Sequence, residues 1–249
     1  MPIPARLPPT PTFTETGAGL AIRAELRDGR TMIAELSGTE PWQPRILASE
    51  GRVARVVLVQ SRASLLTGDD VRVRIDLGPG AGLEIVELGA TIANNVRGGP
   101  PASLDVGVSL ADGACLVWLA APLIASAGCA LDKGVRLELA GSARALTGEA
   151  IVLGRHGEEP GRVRSRTQIT LDGRPLVDET LATEPAWLLR SEVVAGEARL
   201  IEAVTLSGIR DDDPPAGAFQ AHGPATLWRG LGPAGADHRN AGVVSARWR

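Results

Sequence analysis

Apolar and polar residues alternate with period two in several stretches of this chain. From Val71 to Leu77 the apolar Val71, Val73, Ile75 and Leu77 point one way, and Arg72, Arg74 and Asp76 point the other. That is the mark of a half-buried strand. Val135, Leu137 and Leu139 repeat the arrangement. Val53 to Val59 is almost continuously apolar and predicts a strand buried on both faces. Two hairpins are written out. Leu20 to Leu36 turns at Asp28-Gly29, and Arg164 to Leu181 turns at Asp172-Gly173, dipeptides that tolerate the positive φ of a tight turn.

One strand–turn–strand phrase occurs three times, and it reads as a repeated hairpin. The copies are Val71 to Leu88, Val106 to Ala120 and Val135 to Ala150, and they align on Leu77, Leu110 and Leu139. A repeat of this size is one supersecondary unit stacked on its neighbours. Helical periodicity is weak. Thr91 to Arg97 is a short candidate, and Ala241 to Arg249 is another at the C-terminus. The expected class is therefore all-β: layered strands of a solenoid-like, β-helical type with a few short helices, one of them near the C-terminus. Strand should exceed helix at least about twofold.

Residues 1–12 read as a flexible Pro-rich start and residues 13–249 as a single domain. A Gly/Pro-rich excursion near 208–235 interrupts that domain, because Asp211-Asp212-Asp213-Pro214-Pro215 breaks any regular element.

Composition narrows the function. Aromatic residues make up only 3% of the chain, so Val, Leu, Ile and Ala must supply the burial. A formal charge of −3 disfavours a nucleic-acid binder. Lys133 is the only lysine, which fits a coding bias toward arginine. Two cysteines do not make a disulfide scaffold. No apolar run reaches the roughly 18 residues of a membrane span, and the start lacks a signal-peptide pattern. A soluble cytoplasmic protein without a membrane partner is the expectation.

No nucleophile elbow, zinc-protease motif, P-loop or dinucleotide fingerprint is present. Gly78 to Gly82 is Gly-rich but lies between strands, so it reads as a turn. His156, His222 and His238 show no local ligand spacing. His156 lies in a charged turn with Glu158 and Glu159 and is a weak candidate for transient Ni²⁺ contact. Cys115 alternates with Val117 and is expected in the core. Asp69-Asp70 reads first as a turn pair, and Arg162, Arg164 and Arg166 as one charged strand face, either a docking stripe for an acidic partner or a solvated edge that resists aggregation.

An ordered series of phrases resembles the UreD family of urease accessory proteins, called UreH in some bacteria. Leu66-Thr67-Gly68-Asp69-Asp70-Val71 comes first, then Gly80-Ala81 and Leu88-Gly89-Ala90-Thr91-Ile92. Leu116 to Ile124 follows, carrying Trp118 and Pro122, then Glu149, Gly154-Arg155 and Gly157-Glu158. Arg164-Ser165-Arg166 and Asp172-Gly173-Arg174-Pro175-Leu176 close the series. The likeness covers about residues 15–205, with echoes at 225–231 and 243–249. The family's Lys, Glu and Trp are replaced here by Ile92, Val117 and Gly148.

The resemblance implies strands wound around a long axis and a non-catalytic assembly factor. It implies binding to apo-urease together with a UreF-like protein and the GTPase UreG, to promote nickel insertion. It implies no tightly held cofactor, only passing Ni²⁺. Gly68, Asp69, Thr91, Trp118, Pro122, Glu149, Gly154, Arg155 and Glu158 are the matched positions. Asp69, Glu84, Glu87, Glu149 and His156 are weak metal candidates. Two other readings stay open: a β-solenoid interaction module without a metal role, and a β-sandwich carbohydrate-active enzyme, which the scarcity of aromatic residues disfavours.

Overall fold

A computed structural model describes residues 19–233. The expected C-terminal helix at 241–249 and the flexible start at 1–12 lie outside the described residues. The chain runs through β1 (Leu20–Arg27), β2 (Arg30–Ser37), β3 (Trp42–Glu50), β4 (Val53–Gln60), β5 (Ser64–Leu65) and β6 (Asp70–Leu77). It continues through β7 (Gly82–Glu87), β8 (Thr91–Ala93), β9 (Ala102–Leu110), β10 (Cys115–Leu119), β11 (Leu123–Ala125) and β12 (Ala130–Leu139). Then come β13 (Arg144–Val152), β14 (Arg162–Leu171), β15 (Arg174–Ala182), the single turn α1 (Ala186–Leu189), β16 (Leu200–Ser207), β17 (Ala218–Gln220) and β18 (Ala225–Gly232). Strand is 60% and helix 2%, in a parallel β-solenoid of about 4 turns.

The strands form a seven-stranded sheet in the order β15-β14-β12-β9-β6-β1-β2 and an eleven-stranded sheet built on β17-β18-β16-β13-β10-β7-β4-β3. Within the repeat, β6 pairs in parallel with β1 and β9, and β7 with β4 and β10. The two strands of one phrase therefore never pair with each other. The phrase is an arch that carries the chain from one sheet to the other, not the hairpin that its strand–turn–strand pattern suggested. The residues used to align the copies are true neighbours: Leu77 pairs with Leu110, Leu110 with Leu139, and Leu139 with Leu171. All but the half-buried Leu171 are buried, and with Ile75, Val108 and Leu137 they fill the space between the sheets.

Successive coils differ in length without disturbing this register. The slack sits in the loop before the next long strand, which spans 94–101 in one coil and 126–129 in the next. Antiparallel strands close both ends of the stack. β2 and β3 cap one end, while β15, β16, β18 and β17 cap the other. The expected hairpins are β1–β2 and β14–β15, with φ of 50° at Asp28 and 49° at Asp172 in their turns.

Three expectations change. Thr91 to Arg97 is not helical. Thr91–Ala93 is β8, which pairs with β5 and β11, so distant strands override a weak local period. The excursion near 208–235 is not one loop. Ala225, Thr226, Leu227 and Trp228 are buried on β18, which pairs with β16. Cys115 is exposed, because Leu116 and not Cys115 carries the inward phase of β10; Cys129 is the buried thiol.

Candidate functional site

The inward face of the eleven-stranded sheet is apolar near the turns of the repeat and becomes charged toward the strand ends. Trp118 pairs with Ile85 and Thr147, and Thr147 with Thr205. Extending these registers by one or two residues places Glu87, Ala120, Glu149, Ala203 and Arg229 in one row. The row crosses the strands, so it runs along the solenoid axis. Four strand spacings separate Glu87 from Arg229, roughly 19 Å. The opposite sheet presents Lys133 and Ser165, which are paired neighbours, and Glu179, paired with Thr167.

These groups surround a cavity of about 90 Å³ lined by Trp42, Glu87, Trp118, Lys133, Glu149 and Glu179 among others. At about 10–15 Å³ per water it has room for several. The indole N–H of Trp42 is buried without a protein acceptor, and a water in the cavity would satisfy it.

Each charge has a defined environment. The Lys133 ammonium donates to Glu149 Oε1 at 2.5 Å, with the two side chains 11% and 21% exposed. Ser165 Oγ donates to the same carboxylate at 3.0 Å. Burial pushes Glu149 toward its neutral form. The charge and hydrogen bond of Lys133, with Ser165 and the Arg229 charge, outweigh it, so the carboxyl titrates below its ordinary value. Glu87 accepts from Trp118 Nε1 at 2.8 Å and from the Ala121 amide at 3.2 Å. Here burial wins, and its pKa is raised. Arg229 donates to Glu179 at 2.5 Å and lies over the Phe219 ring.

Linkage gives opposite signs to the two central carboxyls. Folding lowers the pKa of Glu149, so its contribution is present above the ordinary carboxylate value and is lost as pH falls through the folded value. Folding raises the pKa of Glu87, so its contribution is present at acid pH and is lost as pH rises through the folded value. Glu87→Gln should therefore gain on the parent as pH rises. Melting temperatures of both proteins from about pH 4 to 8 check this. A difference that does not vary with pH would show an ordinary carboxyl.

The structure brings only some of the expected site residues to this row. Glu87 and Glu149 lie on it. Trp118 holds Glu87, and Thr91 sits beside it, with its amide on the Pro122 carbonyl and its hydroxyl accepting from Gln60. Glu84 is on the outer face, paired with Arg55 at 2.7 Å. Asp69 is a turn residue that accepts from the Leu66 amide and Arg62, just after Gly68. His156 is exposed at the tip of its turn.

Gly154, Arg155 and Glu158 form a brace at the loop end of the stack. Glu158 accepts from the Ala127 amide at 3.0 Å, Arg155 pairs with Glu158, and Arg199 caps the Glu158 carbonyl. Gly154 has a φ of 83°, and a Cβ there would collide with that carbonyl. Lys133, Ser165, Glu179 and Arg229 were not singled out from sequence. One signal was available for Lys133, which has the inward parity of Leu131, Val135, Leu137 and Leu139. Among the described residues, no cluster of three or more His, Cys, Asp or Glu could hold a metal, and no helix is long and apolar enough to cross a membrane.

The model of the UreD urease accessory protein family matches residues 16–248. The chain belongs to the UreD family. Urease accessory protein UreD 1 of Streptomyces griseus is 37% identical over 187 residues, 75% of this chain and 73% of that protein. UreD 2 of Saccharopolyspora erythraea is 33% identical over 216 residues, 86% of this chain and 73% of the relative. UreD of Streptomyces coelicolor is 38% identical over 160 residues, 64% and 63% of the two chains. The matched span takes in β18 and the axial row, including Lys133, Glu179 and Arg229.

Proposed function

We propose that this UreD-family protein is a non-catalytic urease maturation factor in the cytoplasm that helps deliver nickel to apo-urease. It works in a complex with a UreF-like protein and, through it, a UreG-like GTPase. Nickel is cargo in this reading and is not held as a cofactor. The observation that supports it is the set of carboxylates around a hydratable cavity: Glu87 and Glu149 on the axial row, faced by Glu179 from the opposite sheet. A passage needs donors spaced along a path, and it needs them weak, since an ion held tightly at one station cannot move to the next; lone carboxylates are weak ligands for Ni²⁺.

The reading is tested in cells carrying the urease genes. Glu149→Gln keeps the side-chain shape and an acceptor for Ser165 but removes the charge. Urease activation should fall at least about tenfold, as for a lost interaction of a charged group. Co-purification of the folded variant with apo-urease would separate delivery from assembly, and Glu87→Gln gives the same readout without breaking an ion pair. Full activation by both Glu149→Gln and Glu87→Gln would leave the interaction-module reading in its place.

A further inference from the structure

Lys133 is the only lysine in the chain, and every other cationic side chain among the 26 is arginine. It also faces the centre of the axial row from the opposite sheet, buried against Glu149. Its position on β12 belongs to the inward column otherwise filled by Leu131, Val135, Leu137 and Leu139. A charged residue in that column, at 11% side-chain exposure, is tolerated only because Glu149 meets it at 2.5 Å. The ammonium thereby occupies the face of Glu149 that a passing cation would need. Its charge also reaches Glu87.

Lysine and arginine differ in the property that matters here. A guanidinium locks a carboxylate with two parallel donors, as Arg162 does with Asp132 on the outer face. An ammonium is a compact point charge on a flexible stem, held to Glu149 through one contact. It can swing away into an adjoining space, and the 90 Å³ cavity that Lys133 itself lines supplies one.

We propose that Lys133 is a tethered, displaceable counter-cation: it fills the cation position at Glu149 in the resting protein, and a divalent cation gains that carboxylate only by driving the ammonium into the cavity. This rests on the delivery reading above and deepens it, because it names what sets the strength of the central station. The tether neutralises Glu149 between passages, so the central station never presents a bare buried carboxylate. It weakens divalent binding by making each ion compete with a cation already in place. It also favours doubly charged ions, which outcompete a single ammonium where a monovalent ion does not.

Calorimetric titration of the full chain with Ni²⁺ alone tests the idea. Lys133→Met should bind Ni²⁺ at least about tenfold more tightly than the parent, because the competing charge is gone. Lys133→Met/Glu149→Gln should return to within about twofold of the parent, since the carboxylate that gained the ion is neutral. Equal affinity in the parent and Lys133→Met would overturn the proposal, as would a gain that survives Glu149→Gln.

A second measurement uses the parent protein and needs no variant to fold. Lysine-selective ¹⁵N labelling gives a single side-chain signal. Titration with Cd²⁺, which is diamagnetic, should shift that signal and speed exchange of the ammonium protons. A signal that stays fixed through millimolar Cd²⁺ would equally overturn displacement. The two readings fail separately. Unchanged Ni²⁺ affinity in Lys133→Met removes the tether and leaves delivery standing. Normal urease activation by both Glu149→Gln and Glu87→Gln removes delivery and leaves the titration result intact.

Discussion

Leu110→Ala should lower the unfolding free energy by about 3–4 kcal/mol, in the range for large-to-small changes at fully buried leucines. Leu110 is 2% exposed on β9, the middle strand of the seven-stranded sheet. Its register neighbours Leu77 and Leu139 are 3% and 2% exposed. The cost is large because the site cannot collapse. Both flanking strands are fixed by parallel ladders over their whole length, so neither backbone can move in to fill the space. The same ladders should leave the fold intact, so the urea midpoint should drop with little change in slope. A loss under about 1 kcal/mol would show that the leucine column is loosely packed.

Lys133→Met should cost about 3 kcal/mol, at the low end for breaking a buried ion pair. The loss comes from what remains. Glu149 would be left buried with only Ser165 and the Arg229 field to support its charge, and burial then pushes it toward the neutral form. Water in the adjoining cavity softens the penalty, which is why the low end applies. Lys133→Met/Glu149→Gln should recover most of the loss, because the glutamine is neutral and still accepts from Ser165. Urea unfolding of the two single variants and the double variant gives the coupling. If Lys133→Met were as stable as the parent, the pair would be solvated and the interior row would not be an interior.

The coils were legible because their signal is local. Alternation gave the strands, and aligning Leu77, Leu110 and Leu139 gave the register that β6, β9 and β12 adopt. Asp28-Gly29 and Asp172-Gly173 announced two capping hairpins. β8 and β18 were not legible. A three-residue strand and a strand inside a Gly/Pro-rich window owe their conformation to partners far away in sequence. The family phrases drew attention to Glu149 and Trp118, yet most of the central site stayed hidden. Its members come from β7, β10, β12, β13, β14, β15 and β18, one per strand, and only the cross-strand registers assemble them. Lys133 could have been found by parity, had its rarity not been read as coding bias. Cys115 shows the opposite error, since alternation with Val117 was sound but the phase of the pair was inverted.

The pairing pattern also sets the pace of folding. Each parallel strand meets its neighbour about one coil, roughly 30 residues, along the chain, so every ladder in the middle of the stack must close a long loop before it gains any contact. The two hairpins at the ends of the seven-stranded sheet close across two-residue turns and form orders of magnitude sooner. The chain thus holds quick nuclei at its flanks and a slow centre. Until the coils between them zip together, the open edges of β6, β9 and β12 are templates for other chains. Yield on refolding should therefore fall steeply with protein concentration, and synthesis from the N-terminus, which lays down one coil at a time on the β1–β2 cap, is the kinder route to the native stack.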